Sequence, residues 1–231
     1  ALYDPVTDTW REMTSTNAPG KRVDKVRAVW TGSEFIVWGG ESNSGFYDSG
    51  ARYNPSTDTW TTMATTGAPD SRSGHTLVWT GTEVIVWGDF DDNFMVEGNG
   101  ARYNPATDTW TPVAMTGAPT ARYNHIGVWT GTGFYVLGGK AAAAPNDLLD
   151  DGGIYNPTTD TWTPIAAGAF GSAGPVEFPN HQVVWNGEQI LAFVRDEFNP
   201  PSFSGIIHNV SGTGYTSGSL IVRVGEEWIN P

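Results

Sequence analysis

Arginine and histidine recur in this chain at matched positions. Arg72 lies three residues before His75, and Arg122 three before His125. Arg22 occupies the corresponding stretch of an earlier copy, after Ala-Pro-Gly-Lys, and His75, His125 and His181 each stand four residues before a tryptophan. A guanidinium presents a rigid fork of donors that fits a carboxylate, so repeated arginines suit the capture of an acidic group. Imidazoles contributed by several copies could in principle converge on a metal ion. Against both stands a role in the fold, with arginines tying loops to backbone carbonyls or acidic loops and histidines packed. Placement copy after copy favours that role, because a residue shared by all repeats serves the repeat. The first full copy also has Val26 at the histidine position.

Acidic residues form a second set. Asp89, Asp91, Asp92, Asn93 and Glu97 fall in one stretch, and Asn146, Asp147, Asp150 and Asp151 in another. Clustered carboxylate and amide oxygens suit Ca²⁺, with Asp89, Asp91, Asp92 and Asn93 the candidate ligands, although their spacing matches no defined calcium loop. Phe90, Phe94 and Met95 lie among those acids, and Leu148 and Leu149 among the second group. Apolar side chains beside charge on a surface loop mark a protein-contact face; the alternative is a solvated acidic rim. Glu177, Asp196 and Glu197 depart from the repeat without forming a recognisable acid–base pair. No His-Glu-x-x-His, EF-hand or Ser–His–Asp signature occurs.

The elements that must carry these residues follow from repetition. Trp10, Trp60, Trp110 and Trp162 are spaced by 50, 50 and 52 residues, each seven after a tyrosine: Tyr3, Tyr53, Tyr103 and Tyr155. Between them lie Asp-Pro or Asn-Pro and then Thr-Asp-Thr. A worn fifth copy runs from Ser204 to Tyr215, with His208 in the tyrosine place and Tyr215 in the tryptophan place. Each copy divides into four strand-like runs. His75–Trp79 and Glu83–Trp87 flank the turn Thr80-Gly81-Thr82, and the nearly continuous apolar second run predicts burial on both faces. A longer loop leads to Ala101–Tyr103, and an Asn-Pro turn to Thr109–Thr111. Four antiparallel strands per copy, without helical periodicity, specify an all-β propeller.

Composition agrees and sets exclusions. The 231 residues hold 29 Gly, 15 Pro and 11 Trp, and only 16% are charged. With 12 Lys and Arg against 25 Asp and Glu, the formal charge of −13 leaves no basic footprint for nucleic acid. No apolar run approaches the ~18 residues of a membrane span. The absence of cysteine removes disulfides, thiolate nucleophiles and Cys-ligated metals.

The apolar strand, the doublets Gly39-Gly40 and Gly138-Gly139, and the Tyr-x₆-Trp spacing together resemble the kelch repeat, over essentially the whole chain. The doublet decays to Gly88-Asp89 and to Val194-Arg195. The run Trp-Thr-Gly-x-Glu-x-Ile-Val-Trp-Gly, at Trp30–Gly39 and Trp79–Gly88, is similar to kelch modules of bacterial secreted and surface proteins. The resemblance implies one kelch-type propeller over 1–231, in pieces 1–20, 21–70, 71–120, 121–172 and 173–217, with 218–231 as closing strands. Five blades are preferred, the N- and C-terminal strands sharing one; the alternative is an excerpt of a six- or seven-bladed ring.

For function, the resemblance puts Arg22, Arg72 and Arg122 around the central mouth. Arg72-Ser73-Gly74 matches the Arg-Ser-Gly of kelch adaptors that capture acidic peptides. It implies that the tyrosines and tryptophans pack between blades. Copper-radical oxidase chemistry is excluded, since it needs a Cys–Tyr crosslink. The expectation is a non-catalytic module, monomeric or part of a larger chain, at the cell surface or outside the cell. It would bind a protein or glycan, acidic in the arginine reading, through the loop face carrying Arg22, Arg72, Arg122, His75, His125, Phe90 and Phe94. No cofactor beyond calcium, no nucleic acid and no membrane insertion is expected. The alternatives are a sugar-active enzyme of mutarotase or lyase type at the mouth, and a purely architectural module.

Overall fold

The computed structural model describes residues 1–141, 148–168, 182–195, 203–209 and 217–220. A short hairpin comes first, β1 (Leu2–Asp4) with β2 (Thr9–Arg11). The first full sheet runs β3 (Arg27–Trp30), β4 (Phe35–Trp38), then, past the small hairpin β5 (Glu41–Ser42) and β6 (Gly45–Phe46), β7 (Gly50–Asn54) and β8 (Thr59–Thr62). The second comprises β9 (Arg72–Ser73), β10 (Thr76–Trp79), β11 (Val84–Asp91), β12 (Val96–Asn104) and β13 (Thr109–Pro112). The third is β14 (Ile126–Trp129), β15 (Phe134–Leu137), β16 (Gly152–Asn156) and β17 (Thr161–Ile165). The fourth is β18 (Gln182–Trp185), β19 (Gln189–Arg195), β20 (Phe203–Asn209) and β21 (Ser217–Leu220). Pairing is antiparallel throughout, and the four main strands of each blade pair in the order of the chain, as a propeller requires, with β9 added to β11. No described helix is long and apolar enough to cross a membrane.

The core lies between blades. Val84 and Val86 pack with Ile36, Trp38 and Met63 of the preceding blade, while Ile85 and Trp87 pack with Phe134, Val136 and Trp162 of the next. Alternate side chains of one strand thus fill two different interfaces, which is why its sequence is apolar at every position from Val84 to Trp87.

The Thr-Asp-Thr-Trp motif is a clamp across these interfaces. Tyr103 and Trp110 face each other in register, their ring centroids 5.0 Å apart. Asp108, at φ 53°, accepts a hydrogen bond from the Tyr103 hydroxyl at 2.6 Å and another from the Ala64 amide of the preceding blade at 3.0 Å. The Trp110 indole donates to the carbonyl of the same Ala64 at 2.7 Å. Both polar groups of one peptide residue are therefore held by a single motif. Asp160 with Trp162 on Ala114, and Asp58 with Trp60 on Thr14, repeat the arrangement. Its hydrogen bonds hold the Asp108 and Asp160 carboxyls below the usual range, the tyrosine bond contributing most. Asp108→Ala leaves a buried hydroxyl and a cross-blade amide without their acceptor, and is expected to cost about 2–4 kcal/mol in urea unfolding. A loss below about 0.5 kcal/mol would remove the clamp from the account of stability.

Two expectations about the last blade are corrected. Backbone register sets His208 opposite Ile190 as Tyr103 is set opposite Val84, so the worn copy aligns as read at the tyrosine position. Opposite His208, however, stands Ser217 rather than Tyr215. The closing strands read over 218–231 are corrected at their start, because residues 218–220 continue the outer strand that pairs with Gly205–Ile207. The remainder of that segment, 221–231, lies outside the described residues, and with it the sharing of a blade between the termini. At the other end, Trp10 is 69% exposed where Trp110 is 8%. The β1–β2 hairpin has no earlier blade among the described residues to pack upon.

Candidate functional site

Arg72 and Arg122 are fully buried, contrary to the expectation of a cationic mouth. Arg122 donates through Nε to the Thr120 carbonyl (2.9 Å), through Nη1 to the Gly138 and Asp151 carbonyls (3.0 Å each) and through Nη2 to the Asp151 carboxylate (2.8 Å). Arg72 repeats this with the Asp70, Gly88 and Asn99 carbonyls and the Asn99 side-chain oxygen. Arg22 donates to the carbonyls of Gly39, Gly20 and Ser49, and its guanidinium lies 4.4 Å from the centre of the Tyr47 ring. Each fork thus ties the first residue of the doublet, Gly39, Gly88 or Gly138, to the residue just before Gly50, Gly100 or Gly152. The donors are consumed in that closure, and burial pulls the pKa of each guanidinium down. These arginines are not presented to a ligand carboxylate.

The histidines are corrected likewise. His75 and His125 are buried, their rings edge-on to Trp38 and Trp87 with centroids 5.2 and 5.1 Å away. His125 Nε2 lies 2.7 Å from the Thr76 hydroxyl. Gly39 and Gly88, the first glycines of two doublets, make room for this packing: a Cβ on Gly39 would stand 2.5 Å from His75 Cε1, and one on Gly88 2.7 Å from His125 Cε1. Burial, reinforced by Arg72 and Arg27, holds the His75 pKa well below its ordinary value, so the ring is neutral. His181 lies outside the described residues, as do Asn146, Asp147, Glu177, Asp196 and Glu197.

The proposed calcium ligands do not converge. Asp89, at φ 72° in the place of a doublet glycine, is buried and accepts from the Phe90 and Asn124 amides. Asp91 turns onto the Asn93 and Met95 amides at 2.9 and 2.8 Å, which lower its pKa. Asp92 bridges blades, accepting from the Phe46 amide and the Ser71 hydroxyl at 2.6 Å each. Among the described residues no group of three or more acidic or histidine side chains is placed to hold a metal ion. Each carboxylate has a protein donor of its own instead.

What does come together is a surface between the first two blades. The stretch read as a loop over Asp89–Asn99 is a protruding hairpin arm, because β11 and β12 continue pairing past a bulge at Trp87/Asp89. Arg72–Ser73 adds to the arm through Asp91 and Phe90. Phe90 itself is half-buried, 4.4 Å from the Tyr123 ring centre. At the tip, Phe94 is 72% exposed and Met95 61%. Phe94 leans edge-on against Phe46 of the neighbouring hairpin, centroids 5.7 Å apart. Next to this patch opens a cavity of about 470 Å³ lined by Asp48, Asp70, Ser71, Asp91, Asp92 and Asn93 among others. Asp92 belongs to both, since its carboxylate holds the backbone of Phe46. Sequence reasoning passed over Phe46, Asp48 and Asp70. The signal available was Phe46 within Glu41–Ser49, the stretch of the first copy that corresponds to the one carrying Phe94.

The chain matches the model of the KLHDC2/KLHL20/DRC7 Kelch-repeats domain over residues 1–194. No curated protein gives a significant match. Among solved structures it is similar to one titled "Structure of YjhT", with a TM-score of 0.62 and 14% identity over 87% of this chain and 72% of that one. At that identity the likeness concerns the fold.

Proposed function

The chain belongs to the kelch-repeat β-propellers, and from that premise we propose a non-catalytic binding module that takes a protein or glycan partner on its loop face. The face is the one formed by Phe46, Phe94 and Met95 beside the acidic cavity. The observation that carries this reading is the ordered exposure of Phe94. Its amide donates to the Asp91 carbonyl at 2.9 Å, Met95 donates to the Asp91 carboxylate, and the ring is braced by Phe46 rather than withdrawn. A preorganised aromatic standing in water adds little to the fold but suits it as an anchor for a partner, since the ordering cost is already met. The acidic, cysteine-free composition fits a module secreted or displayed at a cell surface.

Screening wild type and Phe94→Ser against peptide and glycan arrays tests the reading. The expected result is a set of hits that weaken at least tenfold in the variant while its unfolding midpoint is unchanged, as for an exposed side chain. Hits indifferent to Phe94, or turnover of an arrayed sugar, would overturn it.

A further inference from the structure

The charge around the exposed aromatic patch identifies the chemistry of its occupant. Asp48, Asp70 and Asp92 are exposed and Asp91 half-exposed, and all four line the cavity beside Phe46 and Phe94. None of these four carboxylates takes part in an ion pair among the described residues. The one guanidinium underneath, Arg72, is buried and committed to carbonyls of its own blade. The surface offered to a partner is therefore apolar at the hairpin tip and anionic in the adjoining hollow, on a chain of formal charge −13. This reverses the sign of partner that the arginine spacing suggested.

Resting on the binding reading above, we propose that the face docks a cationic protein segment. An apolar side chain of the partner would lie on Phe94, Met95 and Phe46, and neighbouring lysine or arginine side chains would enter the hollow beside Asp48 and Asp70. The apolar contact supplies affinity by removing the exposed rings from water, and the carboxylates supply orientation and association rate. Asp92 positions rather than recognises, because its two oxygens already fasten Phe46 and Ser71.

The test uses three fluorescent peptides of one length, alternating Lys with Leu, Glu with Leu, and Lys with Ser. Each is titrated by anisotropy into wild type, Phe94→Ser, and the double variant Asp48→Asn, Asp70→Asn, at low and high salt. The Lys–Leu peptide is expected to bind at least tenfold more tightly than either of the others. Its binding should fall at least fivefold in each variant and weaken as salt screens the carboxylates. Circular dichroism melts of the variants confirm that the surface changes leave the fold intact. Equal or tighter binding of the Glu–Leu peptide overturns the cationic partner. If that peptide's binding still depends on Phe94, the loop-face reading survives alone. Lys–Leu binding that ignores Phe94 overturns the proposal as non-specific charge attraction. If no probe, array hits included, depends on Phe94, both the partner and the face are lost.

Discussion

Asp89→Gly raises the stability of this protein at pH 7.5 by about 2–3 kcal/mol and leaves it nearly unchanged at pH 4. The position belongs to a doublet that is Gly-Gly in the first and third copies, and both residues of the doublets Gly39-Gly40, Gly88-Asp89 and Gly138-Gly139 have left-handed backbone angles. An aspartate there carries a modest conformational cost that glycine does not. The larger effect is electrostatic. Burial pushes the Asp89 pKa up to about 6, against the pull of the Asn124 and Phe90 amides and of Lys25 and Arg27. Its carboxylate also crowds Gly74, which has no Cβ to meet it.

Because the folded pKa exceeds the unfolded one, the native state holds a proton between about pH 4 and 6 that the unfolded chain has released. The contribution of Asp89 is thus fully present below about pH 4 and is lost as pH rises through 6. The rise from an ordinary 3.8 to about 6 corresponds to about 3 kcal/mol. The clamp carboxylates Asp108 and Asp160 act in the opposite sense, since their lowered pKa values make stability fall as acid protonates them. Urea unfolding of wild type and Asp89→Gly at the two pH values separates the contributions. A gain of equal size at both would assign the effect to backbone strain, and a loss at pH 7.5 would show that the hydrogen bond to Asn124 outweighs the buried charge.

Arg122→Ala destabilises the propeller by about 3–5 kcal/mol. The substitution takes the guanidinium donors from four acceptors, among them the Gly138 carbonyl and the Asp151 carboxylate, and opens a cavity in a closed loop. Arg122→Lys is expected to recover less than half of the loss. An ammonium is a point donor and cannot reach the Thr120, Gly138 and Asp151 oxygens from one position. Thermal and urea unfolding of both variants provide the check. Were the residue a ligand contact instead, both proteins would melt like wild type and fail only in binding.

These cases show where sequence sufficed. The tyrosine, aspartate and tryptophan of each copy lie five and seven residues apart on one hairpin, so their contact follows from strand register alone. The unbroken apolar run of the second strand likewise required a blade covered on both sides. The repeat also marked the arginines as belonging to the fold, but not how they serve it. The acceptors of Arg122 are the carbonyls of residues 16 and 29 positions further along the chain, and no local rule brings those to it.

The loop face depended on tertiary structure most of all. The sequence held arginines, acids and aromatics within the same few loops, and either sign of charge was a consistent reading of what they present. The fold decided it through packing. A long guanidinium surrounded by carbonyls gains more from them than from water, so it turns inward. Short aspartates fixed to hairpin backbones keep their remaining oxygen sites outward. Composition and period determined a kelch propeller, while the outcome of that competition for hydrogen bonds determined that its exposed face is anionic and apolar.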